Sequence, residues 1–307
     1  MRTAESTGTG CVVRSDVAIR RGSGLQTHPF DSFKWMCADY HVMSGRPPNR
    51  KVKSVQRTCE LMEALRKSGE ATIAELSEMV DLSPGTIHTH LATLQSEGFV
   101  TQNEGKYQLG YQLLTLGEYV RNHTELFRAG KEVADQVADE TGESTHLVIE
   151  SGGSEVVLYE SFGERAVGTD FYVRNREDPE RYLHCSAAGK AILAHLPEER
   201  VDEIIEQNGL ARVTQNTITD RDGLQSELEE IREKGFALND SEQVMGIRAV
   251  AAPIHKETTD TSTVSGAISI SAPLSRLQSD RFEEEYPDKM RNAANIIEVN
   301  LNTRNEV

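Results

Sequence analysis

The sequence is poor in the residues that build metal sites and disulfide frameworks. Only four cysteines are scattered along its 307 residues: Cys11, Cys37, Cys59 and Cys185. There is no CxxC pair and no cluster of histidine with cysteine, so we expect neither a zinc site nor a disulfide framework. Three histidines of the second half are too dispersed to form a metal site: His146, His195 and His255. We therefore predict a chain that uses no metal and no cofactor.

Long apolar runs are also lacking. No stretch of the sequence is long enough to span a membrane, and no secretory signal is evident at its start. We expect no membrane association and a cytoplasmic location. The length allows two domains and an appendage, with a core that needs no disulfide.

Positive charge is scarce and unevenly distributed. The net charge is −16, yet residues 1–58 hold 10 Lys and Arg against 4 Asp and Glu, while the rest holds 23 against 45. An excess of carboxylates, with Arg preferred over Lys, favours a protein from a salt-loving host. The alternative is an ordinary acidic protein. In about 1 M salt the Debye length is only about 3 Å, so an acidic body would not keep the chain away from DNA.

The first 45 residues show no apolar periodicity, and we predict that residues 1–45 form a disordered tail. Five basic residues follow and lead into the first predicted helix: Arg46, Arg50, Lys51, Lys53 and Arg57. A basic arm of this kind can contact phosphates or enter a minor groove. A solvated linker is the alternative.

Residues 46–110 have the pattern of a winged helix-turn-helix domain. A first helix with apolar residues at helical spacing ends at Gly69. Thr72 and Glu75 form the signature of a capping box, which predicts the start of a second helix. Ser83 as N-cap and Pro84 at the first helical position predict the start of a third.

The segment that follows the third helix predicts a wing. Gly98 ends this helix, and two short strands surround a turn at residues 103–105, with the second strand ending at Leu109. In a helix-turn-helix the third helix enters the major groove, where hydroxyl and imidazole groups reach phosphates and base edges. With the arm and the wing included, the predicted DNA-binding residues are Lys53, Ser83, Thr86, His88, Thr89, Thr93 and Lys106. The predicted partner is a double-stranded DNA operator, and a small helical bundle or a protein-binding winged helix is the alternative.

The remainder of the chain mixes predicted helices and strands. Residues 111–125 predict a linker helix between the two halves. Residues 126–307 predict an α+β domain with an antiparallel sheet and flanking helices. The predicted strands cover residues 145–150, 156–161, 167–173, 236–239, 249–254 and 265–270, and a long amphipathic helix closes the chain.

An enzyme with a cysteine nucleophile is a remote alternative that His184 and Cys185 raise. Adjacent residues on a strand point to opposite faces, so His184 could not easily activate Cys185, and we expect no catalytic residue. The segment 187–191 is not a phosphate loop, because the upstream glycine and the Ser or Thr after Lys190 are missing.

Five segments of the second half carry a specific pattern: 183–193, 216–220, 231–237, 246–254 and 269–276. With the winged helix before them, they resemble the IclR family of bacterial and archaeal transcription regulators over about residues 52–302. The resemblance implies a winged helix-turn-helix, a linker helix and a GAF-like effector-binding domain. It also implies homodimers or dimers of dimers that bind palindromic operators.

The resemblance further implies a pocket for a small-molecule effector, often a carboxylate. Carried over onto this chain, the effector-binding positions are Ser186, Ala187, Ala188, Asn239, Ala249, Ser269 and Ser271. Family members commonly have a cysteine where this chain has Ala249, and often Asp where it has Asn239. The spacing of Ser269 and Ser271 places both hydroxyls on one sheet face, where they and the backbone N–H groups near Ala188 could hold an anion. The sequence thus predicts a regulator that senses a metabolite, and a C-terminal domain that only oligomerises is the alternative.

Overall fold

The computed structural model describes residues 52–167, 181–257, 261–278 and 281–303. The chain divides into two units between Arg57 and Thr58. The predicted tail, most of the basic arm and all but the first residue of the predicted strand 167–173 lie outside the described residues. Within the described ranges, no helix combines the length and the apolar character that crossing a bilayer requires.

Three helices form the predicted helix-turn-helix: α1 (Lys53–Ser68), α2 (Ile73–Met79) and α3 (Pro84–Ser96). The capping box is confirmed, since Glu75 N donates to Thr72 Oγ1 at 3.3 Å and Thr72 N donates to Glu75 Oε2 at 2.8 Å. At the start of α3, Thr86 N donates to Ser83 Oγ at 3.3 Å. Both α2 and α3 begin where a side chain satisfies an N–H group that helix geometry leaves free.

The wing consists of β1 (Val100–Asn103) and β2 (Lys106–Leu109), paired antiparallel. Glu104 and Gly105, between the strands, have φ angles of +49° and +82°. Two positive φ angles match the right-handed twist of a hairpin, and glycine takes such an angle without steric cost. The hairpin is joined to the segment before α2, because Ala71 and Tyr107 exchange backbone hydrogen bonds of 2.9 and 2.7 Å.

The helix that follows the wing, α4 (Gln112–His123), has no buried side chain. Four large apolar residues on it are between 43% and 64% exposed: Leu114, Leu116, Tyr119 and Val120. The next helix, α5 (Glu125–Thr141), buries eight residues, Leu126 and Val137 among them. The two consecutive helices therefore differ: α5 packs into a core, and α4 presents apolar surface to solvent.

A five-stranded antiparallel sheet forms the centre of the second half. Its strands are β3 (Ser144–Ser151), β4 (Ser154–Phe162), β5 (Ala237–Asp240), β6 (Ile247–Glu257) and β7 (Ser262–Pro273). The strand order is β4-β3-β7-β6-β5. With its flanking helices this sheet confirms the predicted α+β class.

Helices cover both faces of the sheet. On one face, α5 and α9 (Tyr286–Thr303) form a core with residues such as Ile268 and Ile270. On the other face, α6 (Ala187–Leu193), α7 (Glu198–Asn208) and α8 (Arg221–Lys234) form a second core with residues such as Val148 and Ala267. Since side chains alternate along a strand, Ser269 and Ser271 of β7 lie on this second face.

Candidate functional site

The outer surface of α3 is polar and carries no acidic residue. His88, Thr89 and Thr93 are exposed on it, while Ile87 and Leu91 are buried on the inner face. The hydroxyls of Thr89 and Thr93 donate to the carbonyl oxygens of Gly85 and Thr89 at 3.0 and 3.1 Å. Because this surface carries no carboxylate that would repel phosphates, it suits contact with a nucleic-acid backbone.

Other predicted DNA-binding residues already have partners within the chain. Ser83 caps α3, and its hydroxyl lies 2.9 Å from that of Thr86. Lys106, on the wing, pairs with Glu70 at 2.5 Å, and this carboxylate raises the pKa of the lysine. Lys53 is the first residue of α1 and is exposed. Among the predicted DNA-binding residues, His88, Thr89 and Thr93 are the ones that lie exposed within α3.

The second sheet face contains a small cavity with an open mouth. The seven predicted effector-binding residues all line it: Ser186, Ala187, Ala188, Asn239, Ala249, Ser269 and Ser271. They come from four elements of the fold and span 86 positions of the chain. The sheet register explains part of this convergence, since Ala249 pairs with Ser271 and also with Asn239.

The helix α6 forms one wall of the cavity and begins at a cap. Gly189 N donates to the hydroxyl of Ser186 at 2.8 Å, and this hydroxyl donates to Glu155. A Cβ atom on Gly189 would lie 2.2 Å from the carbonyl oxygen of Leu183, which no side chain tolerates. The glycine of this small-residue segment is thus required by close approach of two backbones.

Asn239 connects the sheet to two neighbouring segments. Its Nδ2 donates to the carbonyl oxygen of Cys185, and its Oδ1 accepts from Glu242 N at 3.2 Å. The amide therefore fixes the end of β5 against the segment before α6 and against the loop that follows β5. Asn239 therefore contributes to the cavity by holding these segments in position.

Sequence reasoning missed three polar residues of the cavity. His146, Glu155 and Arg181 line it as well. Arg181 Nη2 donates to Glu155 Oε1 at 2.6 Å, and both side chains are almost completely buried. His146 Nε2 lies 3.1 Å from Ser271 Oγ, on the neighbouring strand. For His146, a polar residue inside the predicted strand 145–150, this position was the available signal, because an ordinary core strand has few polar residues. Glu155 and Arg181 lie outside the predicted strands and had no such signal.

The segment that contains His184 and Cys185 is a 3₁₀ turn, Leu183–Cys185, rather than the strand that the sequence argument assumed. Each side chain instead faces a backbone carbonyl: His184 Nε2 lies 3.0 Å from Ala211 O, and Cys185 Sγ donates to Tyr182 O at 3.3 Å. Burial raises the pKa of the Cys185 thiol to about 12, while it lowers the pKa of His184. A thiol that stays protonated is a poor nucleophile. Among the residues of the described ranges, no group of three His, Cys, Asp or Glu side chains is placed to hold a metal ion.

Comparison with known proteins gives the same family for the helix-turn-helix and for the α+β domain. Residues 54–104 match the IclR helix-turn-helix domain, and residues 118–299 match the domain described as bacterial transcriptional regulator IclR C-terminal. A Halobacterium salinarum protein named "Probable HTH-type transcriptional regulator ArcR" is 43% identical over 261 residues, which cover 85% of this chain and 97% of that protein. The named relatives are transcriptional regulators.

Solved structures agree with these matches. The IclR structure of Thermotoga maritima has a TM-score of 0.60 at 26% identity and covers 82% of this chain and 99% of its own. An IclR homolog of Microbacterium hydrocarbonoxydans, complexed with 4-hydroxybenzoate, has a TM-score of 0.65 at 21% identity and covers 81% and 98%. By its two domain matches and its fold, the chain belongs to the IclR family of DNA-binding transcriptional regulators.

Proposed function

We propose that the C-terminal domain of this regulator binds a small organic acid and thereby alters operator binding by the helix-turn-helix. The observation that carries the proposal is the cavity on the second sheet face, which gathers all seven residues of the predicted effector site. A ligand regulates in this way only if it binds one arrangement of the protein better than the other.

The lining of the cavity favours an acid with a short hydrocarbon part. The guanidinium of Arg181 and the buried hydroxyl of Ser269 are donors suited to a carboxylate. The carboxylate of Glu155 already accepts from Arg181 and from Ser186, which offsets its repulsion of an anion. Val148 and Val157 supply apolar wall. The Microbacterium homolog holds an aromatic acid, 4-hydroxybenzoate, which is consistent with this class of ligand.

A panel of acids tests the proposal. We expect at least one of acetate, pyruvate, succinate, benzoate and 4-hydroxybenzoate to raise the melting temperature, because a ligand at 100 times its Kd stabilises the folded state by about 2.7 kcal/mol. The same acid should change the affinity for promoter DNA, measured by fluorescence anisotropy. Benzylamine, a cation of similar size, is the control and should have no effect.

The second candidate function is a C-terminal domain that only oligomerises. One observation favours it: the polar groups of Ser186, Asn239 and Ser271 already have partners within the protein. Satisfied groups gain less from a ligand than free ones. This candidate predicts that no acid of the panel shifts the melting temperature or the DNA affinity.

The DNA-binding part of the proposal assigns residues 46–110 to the DNA-binding domain, 111–125 to the linker and 126–307 to the effector domain. The proposed partner is a double-stranded operator with α3 in its major groove. A regulator of this kind acts where the chromosome is, so we propose a cytoplasmic location. A salt-loving host stays a prediction, which the Halobacterium relative supports.

We also propose that α4 pairs with a second copy of the chain, in a homodimer or a dimer of dimers. A 12-residue helix is marginal in water without tertiary packing, and α4 buries none of its side chains. Its exposed apolar residues follow helical spacing, with Leu116 and Val120 four positions apart. A symmetric dimer would cover this surface with the same surface of its partner.

Substitution of Val120, which is 64% exposed, should weaken this association. Val120→Glu would bury an uncompensated carboxylate in the interface of each copy, so we expect the dimer dissociation constant to rise about tenfold or more. Light scattering after size exclusion measures the mass over a dilution series. Val213→Glu is the matched control, since Val213 is 44% exposed on another part of the chain. An unchanged mass profile for Val120→Glu would remove α4 from the interface.

A further inference from the structure

Lys190 is the largest fully buried side chain of the described residues, although it carries a charge. It follows Gly189 on α6, the helix that also brings Ala187 and Ala188 to the cavity. Its ammonium lies 2.7 Å from Glu227 Oε1 on α8 and 2.8 Å from Glu242 Oε1 in the loop after β5. A buried charge persists only with such compensation, so the sequence retains a costly group at this position.

The loop that contains Glu242 forms another wall of the cavity. It runs from Ser241 to Gly246 between β5 and β6, and Gln243 and Val244 within it line the cavity. Ser241 has a φ angle of +62°, which a residue with a side chain adopts only when its surroundings hold it there. The loop therefore needs contacts that keep it in place.

Among the described residues, the ion pair that this loop makes is the one between Glu242 and Lys190. Glu242 has a 10% exposed side chain, and within the described ranges its Oε2 has no hydrogen-bond partner. Burial raises the pKa of this carboxyl, and the nearby ammonium opposes that change. Neutral contacts assist, since Glu242 N donates to Asn239 Oδ1 at 3.2 Å and Thr217 Oγ1 donates to Glu242 O at 2.7 Å.

We propose that Lys190 is a positioning residue of the cavity, and that its ion pair with Glu242 fastens the Ser241–Gly246 loop against α6. The ammonium joins two walls of the cavity, one from α6 and one from the loop, and so sets the distance between them. The role as a determinant of ligand fit rests on the proposed function. The fastening of the loop does not, because it is a property of the protein without ligand.

Hydrogen exchange of the full-length, ligand-free protein, followed by mass spectrometry, tests the fastening. In Lys190→Met we expect the amides of residues 241–246 to exchange at least about tenfold faster than in the wild type, with the amides of β7 unchanged. Lys234→Met is the matched control, because Lys234 pairs with Glu230 on the surface, where both side chains are about half exposed. Its loop should exchange as in the wild type.

A folded Lys190→Met whose loop exchanges at the wild-type rate would overturn the proposal. If Lys190→Met does not fold, Glu242→Gln carries the test, since it keeps the shape of the side chain and removes its charge. Unchanged loop exchange in that variant would also overturn it.

Calorimetry with 4-hydroxybenzoate separates the two proposals. If this acid binds the wild type, at least about tenfold weaker binding by Lys190→Met supports the positioning role, and equal binding despite a faster loop rejects it. If this acid and the rest of the panel fail to bind the wild type, the proposed function loses its support, and the exchange data still decide whether Lys190 fastens the loop.

Discussion

Thr89→Glu should lower the affinity for operator DNA by about 100-fold or more, which is about 2.8 kcal/mol at 1.4 kcal/mol per decade. Thr89 is exposed on α3, and this helix carries no acidic residue. A carboxylate at its centre would face the phosphates and base edges of the major groove and would repel them at close range. The fold should be intact, because Ile87 and Leu91 keep the inner face and glutamate is a better helix former than threonine.

Fluorescence anisotropy with labelled promoter DNA, at one fixed salt concentration, measures this loss, and thermal unfolding verifies the fold. Thr303→Glu is the matched control. Thr303 is also exposed on a helix, α9, and its hydroxyl also donates to the carbonyl four residues earlier, that of Val299, at 2.8 Å. The control adds the same charge elsewhere and should bind DNA like the wild type. Undiminished binding by Thr89→Glu would reject α3 as the recognition helix.

The double variant Ser269→Ala, Ser271→Ala should weaken effector binding by roughly 2–5 kcal/mol, which raises the dissociation constant about 30-fold to several thousand-fold. A hydrogen bond to a charged group contributes about 1.5–3 kcal/mol, and the two hydroxyls lie on the cavity side of β7. The single variants should differ. Ser271 is already engaged with His146 at 3.1 Å, so its loss also disturbs a neighbour, whereas Ser269→Ala removes a cavity hydroxyl more cleanly.

Calorimetry with whichever acid of the panel binds measures this effect, and anisotropy without ligand should give the wild-type DNA affinity. Ser265→Ala is the control, because Ser265 is on β7 but does not line the cavity. If the acid binds the double variant and the wild type equally, the pocket lies elsewhere and the residues carried over from the family are wrong for this chain.

The helix-turn-helix could be predicted because its signals are local. The capping box joins Thr72 and Glu75, three positions apart, and its hydrogen bonds form within one helical turn. The hairpin turn at Glu104 and Gly105 needs only two residues with positive φ. Interactions between residues close together in the sequence determine these features, so the sequence predicts them without knowledge of the tertiary structure.

The cavity was predictable only in part, because its charged contacts join distant positions. Because side chains alternate along a strand, the sequence predicted that Ser269 and Ser271 share one face of the sheet. It did not predict the contact of Ser271 with His146, which lies 125 positions away along the chain. Arg181 and Glu155 are 26 positions apart, and their contact depends on the tertiary structure. The 3₁₀ turn at Cys185 accepts a hydrogen bond from Asn239, 54 positions away, a partner that no local pattern indicates.

The bare surface of α4 has a consequence for how gene expression would respond to the amount of the regulator. If α4 packs against other side chains only in the dimer, the linker helix becomes ordered in the same step in which the dimer forms. Both then depend on protein concentration through mass action. At protein concentrations below the dimer dissociation constant, each helix-turn-helix domain would bind DNA as a monomer with a partly unfolded linker helix. Ligand binding in the C-terminal domain could then not be transmitted through a rigid linker. Above it, the first head to bind would raise the effective concentration of the second at the neighbouring half-site, often into the millimolar range. The number of regulator molecules in the cell would then control operator binding in addition to the metabolite. The concentration at which the dimer forms would depend on the four exposed apolar side chains of α4.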